Sequence, residues 1–190
     1  MPVMSRIERA FCCGTLWRRS TDAVVNALHP HELGRDVLEI GSGAGVVASA
    51  LQRRLPDAAV TASDLDPVMV AAAARRLSRH PSARAVSADA TALPFADDAF
   101  DSVVSCLMLH HIIDWEASIG EVARVLRSGG VFVGYDLVRT PVATWVHRLD
   151  RSPFRLLSAV ELEDTCRTAG LTAKVALRYR GHMMHFVATR

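Results

Sequence analysis

The amino-acid sequence predicts an α/β fold: a mostly parallel sheet with one antiparallel strand near its edge, and helices on both faces. Three observations carry that expectation. After residue 35, short β-branched runs, turn residues and longer helical patterns alternate, as they do in βαβ units. Early in that alternation an apolar run ending at Ile40 passes directly into Gly41-Ser42-Gly43-Ala44-Gly45 and then into a helical pattern. Near the end of the chain two strand-like runs, 171–179 and 183–189, are joined at Arg180-Gly181-His182, a spacing that suggests an antiparallel hairpin. With the five earlier candidates these runs give a seven-stranded, Rossmann-like sheet.

In chain order, the parallel strand candidates are 36–40, 58–63, 84–88, 102–107 and 131–136. The helix between the first two, 45–55, is rich in Ala, Val and Leu and stops before Pro56. The next, 67–80, opens with Pro67 in its first turn and stops before Pro81. Asp114 is placed to cap a helix running to Arg127, and Gly129 to end it in a left-handed cap. Ser158 with Glu161 makes a capping-box pattern for a helix that ends at Gly170. The first thirty residues read as helical with weak periodicity, and 137–157 are irregular, with Pro141, Pro153 and several arginines. No repeat, low-complexity tract or linker divides the chain. Residues 1–190 are therefore expected to form one domain, with 1–34 an N-terminal helical lid segment and 35–190 the Rossmann-like core.

Composition narrows the function classes. The 190 residues are long enough to bury a core, and with half of them hydrophobic and 22% charged the chain reads as globular rather than disordered. A net charge of +2 gives no basic footprint for nucleic acid, and no basic–aromatic stripe for single strands is visible. Cys12, Cys13, Cys106 and Cys166 make no CxxC pair and no His/Cys ligand spacing, so no metal site is expected, and reduced thiols fit. The longest apolar run, 103–113, is broken by His110 and His111 and is too short to span a bilayer. The chain opens without the order of segments that marks a secretory leader. The expectation is a cytoplasmic protein, a monomer or homodimer, whose partner is a small molecule rather than nucleic acid, with no stable membrane insertion.

The chemistry concentrates at the ends of the first three strands. In open parallel sheets ligands bind at the carboxyl ends of strands, and glycines after the first strand let the backbone turn tightly and approach a ligand. A dinucleotide site wants GxGxxG with the diphosphate on the helix N-terminus. Here the third glycine comes one residue early, and Val46 stands where that pattern has glycine. Glu39, two residues before Gly41, would repel a diphosphate but suits a ligand carrying an ammonium group and a sulfonium. Asp64 lies 19 residues past Gly45, near the spacing of a carboxylate that accepts from both hydroxyls of a ribose. Asp66, just before Pro67, reads as the cap of the next helix. After the third strand, Asp89 is placed to accept from an adenine amino group while the amide of Ala90 donates to a ring nitrogen.

On LEIGSGAG at 38–45, SDLDPVM at 63–69, ADATALPFADDAFD at 88–101, SCLMLHHI at 105–112 and EVARVLRSGGVFV at 121–133, the chain resembles the UbiE-like (methyltransferase type 11) branch of class I S-adenosylmethionine-dependent methyltransferases. The match is detailed over 35–136, and the tail hairpin agrees with the reversed seventh strand of that fold. The resemblance implies S-adenosyl-L-methionine as cofactor and S-adenosyl-L-homocysteine as product. It implies that Gly41, Ser42, Gly43 and Gly45 shape the loop around the methionine part, with Glu39 near it. Asp64 would hold the ribose, Leu65 and Met69 would pack near the adenosine, Asp89 and Ala90 would read adenine, and Ser105 and Cys106 would meet the amino-acid end.

Methyl transfer from a sulfonium is a direct displacement, helped chiefly by alignment and by exclusion of water. A base is needed only when the nucleophile starts protonated. His111, ahead of His110, is the candidate base, because the pair follows the fourth strand and faces the expected acceptor side. Tyr135 and Asp136 either line the acceptor pocket or simply begin a loop. His147, Arg148, Arg151 and Arg155 either contact an acidic or lipid-like acceptor or form a solvated surface. The N-terminal segment, with Phe11, Leu16 and Trp17, either folds over the cofactor or packs on the sheet edge. The leading expectation is methyl transfer to a small-molecule acceptor, with a lipid-like one among the candidates. A cofactor-binding scaffold without turnover and a nicotinamide-dependent oxidoreductase are the competing readings. The Asn/Asp-Pro-Pro-aromatic tetrad of amino-methylating enzymes is absent, which leaves oxygen, carbon, sulfur and other nitrogen atoms as nucleophiles.

Overall fold

The computed structural model describes residue 21, residues 23–141, residue 144 and residues 153–190. The described residues form β1 (Asp36–Ile40), α1 (Val46–Arg54), β2 (Ala59–Asp64), α2 (Pro67–Leu77), β3 (Ala83–Ser87), β4 (Phe100–Cys106), α3 (Trp115–Val125), β5 (Leu126–Leu137), α4 (Ala159–Thr168), β6 (Thr172–Arg178) and β7 (Met183–Thr189). The seven strands make one sheet in the order β3-β2-β1-β4-β5-β7-β6. Only β7 runs against its neighbours, pairing antiparallel with both β5 and β6. This is the sheet the sequence predicts.

Side-chain alternation divides the interior in two. Leu38, Ile40, Val103, Phe132 and Phe186 face α3 and α4, where Trp115, Ile119 and Leu162 close one core. Val37, Val60, Val104, Val133 and Tyr135 face the opposite side, with Leu51 of α1 and with Val25 and Leu28. β1 is buried along nearly its whole length, as expected of a strand covered by helices on both faces. Of the segment expected as a lid, Val25, Leu28 and Leu33 are thus built into the second core. Phe11, Leu16 and Trp17 lie outside the described residues.

Local signals set several element ends. The Asp66 carboxylate accepts from the Val68 amide at 2.9 Å and starts α2 at Pro67. Ser158 and Glu161 make both bonds of the capping box that starts α4. Two expected caps differ. Asp114 precedes α3 but its side chain makes no capping bond. Gly129 is left-handed (φ 79°), yet it does not end the helix. Leu126 has already turned extended and pairs with Phe100, so Gly129 falls inside β5, where its amide donates to the Arg190 carbonyl at 2.9 Å. The long strand wins because pairing with β4 begins as soon as α3 stops.

Candidate active site

The chain builds β1, then β2 and β3 to one side, and returns to place β4 on the other side of β1. The carboxyl ends of β1 and β4 are therefore the topological switch point at which open α/β sheets bind ligands. The loop after β1 occupies it. Gly41, Gly43 and Gly45 all have positive φ, at 63°, 52° and 70°. At Gly41 space as well as conformation demands glycine, since an added Cβ would fall inside the Met108 side chain.

Backbone and carboxylate bonds hold the loop. The Ser42 amide donates to the Ser63 carbonyl at 2.9 Å, and the Gly45 amide to the Ser42 carbonyl at 2.9 Å. The Gly43 amide donates to Asp64 Oδ2 at 2.8 Å, while Asp64 Oδ1 accepts from the Asp66 amide at 2.9 Å. Asp64 thus clips the glycine loop to the end of β2. Burial pushes its carboxyl above the ordinary carboxylate range, against the amides of Asp66 and Gly43, which favour the charge. Ser63 Oγ donates to the Glu39 carbonyl at 3.0 Å and joins β2 to β1.

Glu39 is 2% exposed, and burial pushes its carboxyl up to about 8, opposed by a backbone bond at Ala48 and reinforced by the Asp64 charge. Its Oε2 has no hydrogen-bond partner, nor do the buried hydroxyls of Ser42 and Ser105. Ser105 lies beside Ile40 in the register of β1 with β4, so the two serines stand at the same edge of the sheet. Unpartnered buried polar atoms cost about 1–3 kcal/mol each, and three of those among the described residues gather at these strand ends.

The third turn is held in the same way as the second. The Ala88 amide donates to the Asp64 carbonyl at 3.0 Å, and Asp89 Oδ1 accepts from the Thr91 amide at 2.9 Å and its hydroxyl at 2.8 Å. Ala90 is buried beside it, Leu65 is half-buried, and Met69 is buried in the first turn of α2. Cys106 ends β4, with its thiol pushed well up by burial and by the Glu39 charge. All twelve residues expected to meet a cofactor therefore lie at the carboxyl ends of β1 to β4 or in the turns and helix that follow. Ser63 and Met108 belong to the same construction and were not singled out from sequence. Both act through strand neighbours far away in the chain, which leave no local mark.

Beyond β4 the arrangement changes. His110 is 2% exposed, and its Nδ1 pairs with Asp136 Oδ1 on β5. The buried carboxylate thus serves His110 rather than His111, whose ring lies 4.0 Å from that of His110. Asp136 Oδ1 also accepts from the Leu137 amide at 2.6 Å. Tyr135 is buried with its hydroxyl beside the Cys106 thiol, but that hydroxyl makes no hydrogen bond of normal geometry; burial pushes it above the ordinary phenol range. Arg155 is engaged by Glu116, with bonds of 2.6 and 2.5 Å, and lies over the Trp115 ring. His147, Arg148 and Arg151 lie outside the described residues. Among the described residues no cluster of His, Cys, Asp and Glu could hold a metal ion, and no helix is long and apolar enough to cross a membrane.

Residues 38–134 match the family described as "Methyltransferase domain" (Methyltransf_11). A demethylmenaquinone methyltransferase of Thermus thermophilus is 39% identical over 118 residues, which cover 62% of this chain and 52% of that protein. A phthiotriol/phenolphthiotriol dimycocerosates methyltransferase of Mycobacterium tuberculosis is 37% identical over 126 residues, covering 66% of this chain and 46% of that protein. The chain spans about half the length of these curated relatives. Among solved structures, one from a complex of the Haloferax volcanii Trm112 methyltransferase activator with a putative methyltransferase superposes with a TM-score of 0.78 at 19% identity, covering 99% of both chains. A Haemonchus contortus phosphoethanolamine N-methyltransferase, solved with phosphomonomethylethanolamine and S-adenosylhomocysteine, superposes with a TM-score of 0.77 at 16% identity, covering 90% of this chain and 52% of that one. At those identities the two structures establish the shared fold.

Proposed function

The chain belongs to the methyltransferase domain family, whose members use S-adenosylmethionine, and from that premise we propose that it transfers the sulfonium methyl group to a small-molecule or lipid-like acceptor by direct displacement. The observation that carries the reading is the glycine loop clipped by Asp64, with Glu39 Oε2, Ser42 Oγ and Ser105 Oγ buried and unpartnered against it. The amino-acid end of the donor offers what those atoms lack: an ammonium group for the carboxyl of Glu39 and a carboxylate for the serine hydroxyls. Each oxygen of Asp64 already accepts one amide and retains a lone pair for a ribose hydroxyl. Asp89 Oδ2 and the Ala90 amide are the adenine-reading pair.

When bound, the donor supplies an electrophilic methyl group on sulfur. The chain's own part is alignment and dryness. The loop residues Gly41–Gly45 fix the methionine end through a backbone that cannot relax without breaking the Gly43–Asp64 bond, and the apolar surfaces of Met108 and Met69 keep water from the site. The acceptor class is drawn from the relatives: one is named a demethylmenaquinone methyltransferase and the other a phthiotriol/phenolphthiotriol dimycocerosates methyltransferase.

Calorimetric titration of S-adenosylhomocysteine into the purified protein tests the reading. Saturable binding is expected. Asp64→Ala should weaken it by at least about tenfold, since the variant loses both the clip and the ribose contact, each worth on the order of 1 kcal/mol or more. No heat and no thermal stabilisation in the wild type would overturn the proposal and make NAD the next ligand to try.

A further inference from the structure

We propose that Tyr135 and His185 together receive the acceptor's nucleophilic hydroxyl, Tyr135 donating a hydrogen bond to its oxygen and His185 Nε2 taking its proton. The inference rests on the methyltransferase reading and adds a residue that neither the motifs nor the family match assigns. Its basis is the strand register. Ile40 ends β1 beside Ser105, and the glycine loop starts there. Cys106 pairs with Tyr135, and Tyr135 with His185. A single row, Cys106–Tyr135–His185, therefore crosses β4, β5 and β7 at the carboxyl edge, one residue past Ser105, the neighbour of Ile40. Residues opposite one another on paired strands share a face, and with strands spaced ~4.8 Å apart His185 stands roughly 10 Å from Cys106.

The end of that row is polar and unsatisfied. The Tyr135 hydroxyl and His185 Nε2 are both buried without a hydrogen-bond partner, so they do not bond each other. The His185 ring is bonded to the backbone of Ala27, in the helical segment 23–27 that packs over this face. That leaves Nδ1 for Ala27 and fixes Nε2 as the nitrogen with the free lone pair. One O–H donor and one lone pair are the complement of a hydroxyl, which accepts from the first and donates to the second. The surroundings are apolar, with Val25, Leu28 and Met183 in the same core as Tyr135, a setting that suits the body of a lipid-like or ring-bearing acceptor. Burial, then the positive neighbours Arg178 and His29, hold His185 below the ordinary imidazole range, so the base form is present near neutrality. Of the other titratable groups in the row and beside it, Cys106, Tyr135 and Glu39 are all held towards their protonated forms.

In the step itself the acceptor's O–H bond breaks and its proton goes to His185 Nε2. The oxygen lone pair forms the new bond to the methyl carbon, and the electron pair of the broken carbon–sulfur bond stays on sulfur.

The experiment loads the protein with S-adenosylhomocysteine and titrates 1-naphthol, a ring-bearing hydroxyl probe, by calorimetry. The wild type should bind it. Tyr135→Phe and His185→Gln should each weaken that binding by at least about fivefold, the effect of one hydrogen bond, while S-adenosylhomocysteine affinity stays within about twofold, which also shows that the variants are folded. In ¹⁵N-histidine-labelled protein the Nε2 resonance of His185 should move on adding 1-naphthol, a response that a purely structural histidine would not give. Unchanged 1-naphthol binding in both variants, or none in the loaded wild type, would overturn the inference and leave the methyltransferase reading standing. Failure of the wild type to bind S-adenosylhomocysteine would take both down.

Discussion

After β1, β2 and β3 the acidic side chains are spent on backbone amides. Asp64 holds Gly43 and Asp66, Asp66 holds Val68, and Asp89 holds Thr91. After β4 and β5, and on β7 beside them, polar side chains chiefly pair with one another or keep an unpartnered atom, with backbone bonds besides, as from the Leu137 amide to Asp136. His110 pairs with Asp136, Arg155 with Glu116, and Tyr135 and His185 end in unpartnered atoms. One half of the edge is therefore a set of frozen turns, and the other centres on three strand residues, Tyr135, Asp136 and His185. A carboxylate that fixes a loop's amides prepares a surface for one invariant ligand, because the ordering is complete before binding. Side chains standing on strands can be exchanged without moving the backbone, which suits a part of the site that must match a particular acceptor.

The sharpest way to break the frozen half is Gly41→Ala. The left-handed conformation costs a non-glycine residue about 1–2 kcal/mol, and the clash with Met108 adds about 2–3 kcal/mol of overpacking. A loss of about 4 kcal/mol in a chain of this size lowers the melting temperature by roughly 8–16 °C, and S-adenosylhomocysteine binding should vanish with it. Adding Met108→Ala should relieve the overpacking share, so the double variant should lose less stability than the two single variants summed. A Gly41→Ala protein that melts like the wild type and still binds would show that this loop is not frozen at all.

Glu39 gives a smaller effect with a definite sign. Its carboxyl titrates at about 8 in the folded chain against an ordinary 4.5. Below 4.5 both states are protonated, and the stabilisation is complete. Between 4.5 and 8 the folded chain keeps a proton that the unfolded chain has released, so stability falls as pH rises through that window and levels off above it. From pH 5 to 7 the fall is on the order of 2–3 kcal/mol, and Glu39→Gln should flatten it in denaturant titrations. A ligand ammonium group beside Glu39 favours the charged form, so binding near pH 7 should release a proton, read as a heat that changes with the buffer's ionisation enthalpy. An equally steep pH dependence in Glu39→Gln would move the origin of the effect elsewhere, with Asp64, whose carboxyl is also raised, the first place to look.

The two halves were also unequally legible. The turns after β1 and β2 are local, and their demands are written in adjacent residues: glycine where φ is positive, Asp66 before Pro67 where a helix must be capped. Asp64 stands out in the sequence by its spacing from the glycine loop, but its bond to Gly43 joins residues 21 apart in sequence and depends on β2 lying beside β1. His185 carried no signal, because its place opposite Tyr135 follows from the register of an antiparallel strand added from the far end of the chain. His110 and His111 were visible as a pair, but the choice between them as the partner of Asp136 needed the three-dimensional path after β4. Gly129 is legible as a left-handed residue, but its place inside β5 rather than at a helix end is not, since nothing local to Leu126 announces that it will pair with Phe100.

The smallest effect tests whether Arg155 belongs to the site or only to its scaffold. Its guanidinium makes two bonds to Glu116, a third of 3.0 Å to the Ile113 carbonyl, and lies 5.4 Å from the centre of the Trp115 ring. Its amide donates to the His110 carbonyl at 2.8 Å, a bond that any residue here keeps. Both partners of the ion pair are about 40% exposed, so solvent screens it and it contributes at most about 1 kcal/mol, with a cation–π share of about 0.5 kcal/mol. Arg155→Ala should lower the melting temperature by roughly 2–4 °C and leave S-adenosylhomocysteine affinity unchanged. Glu116→Gln should cost a similar amount, and the double variant little more than either single one, because the two residues share one interaction. Independent, additive losses would mean that Arg155 spends its charge on something other than Glu116. A fall in 1-naphthol binding in Arg155→Ala would then bring it into the acceptor-facing half of the edge.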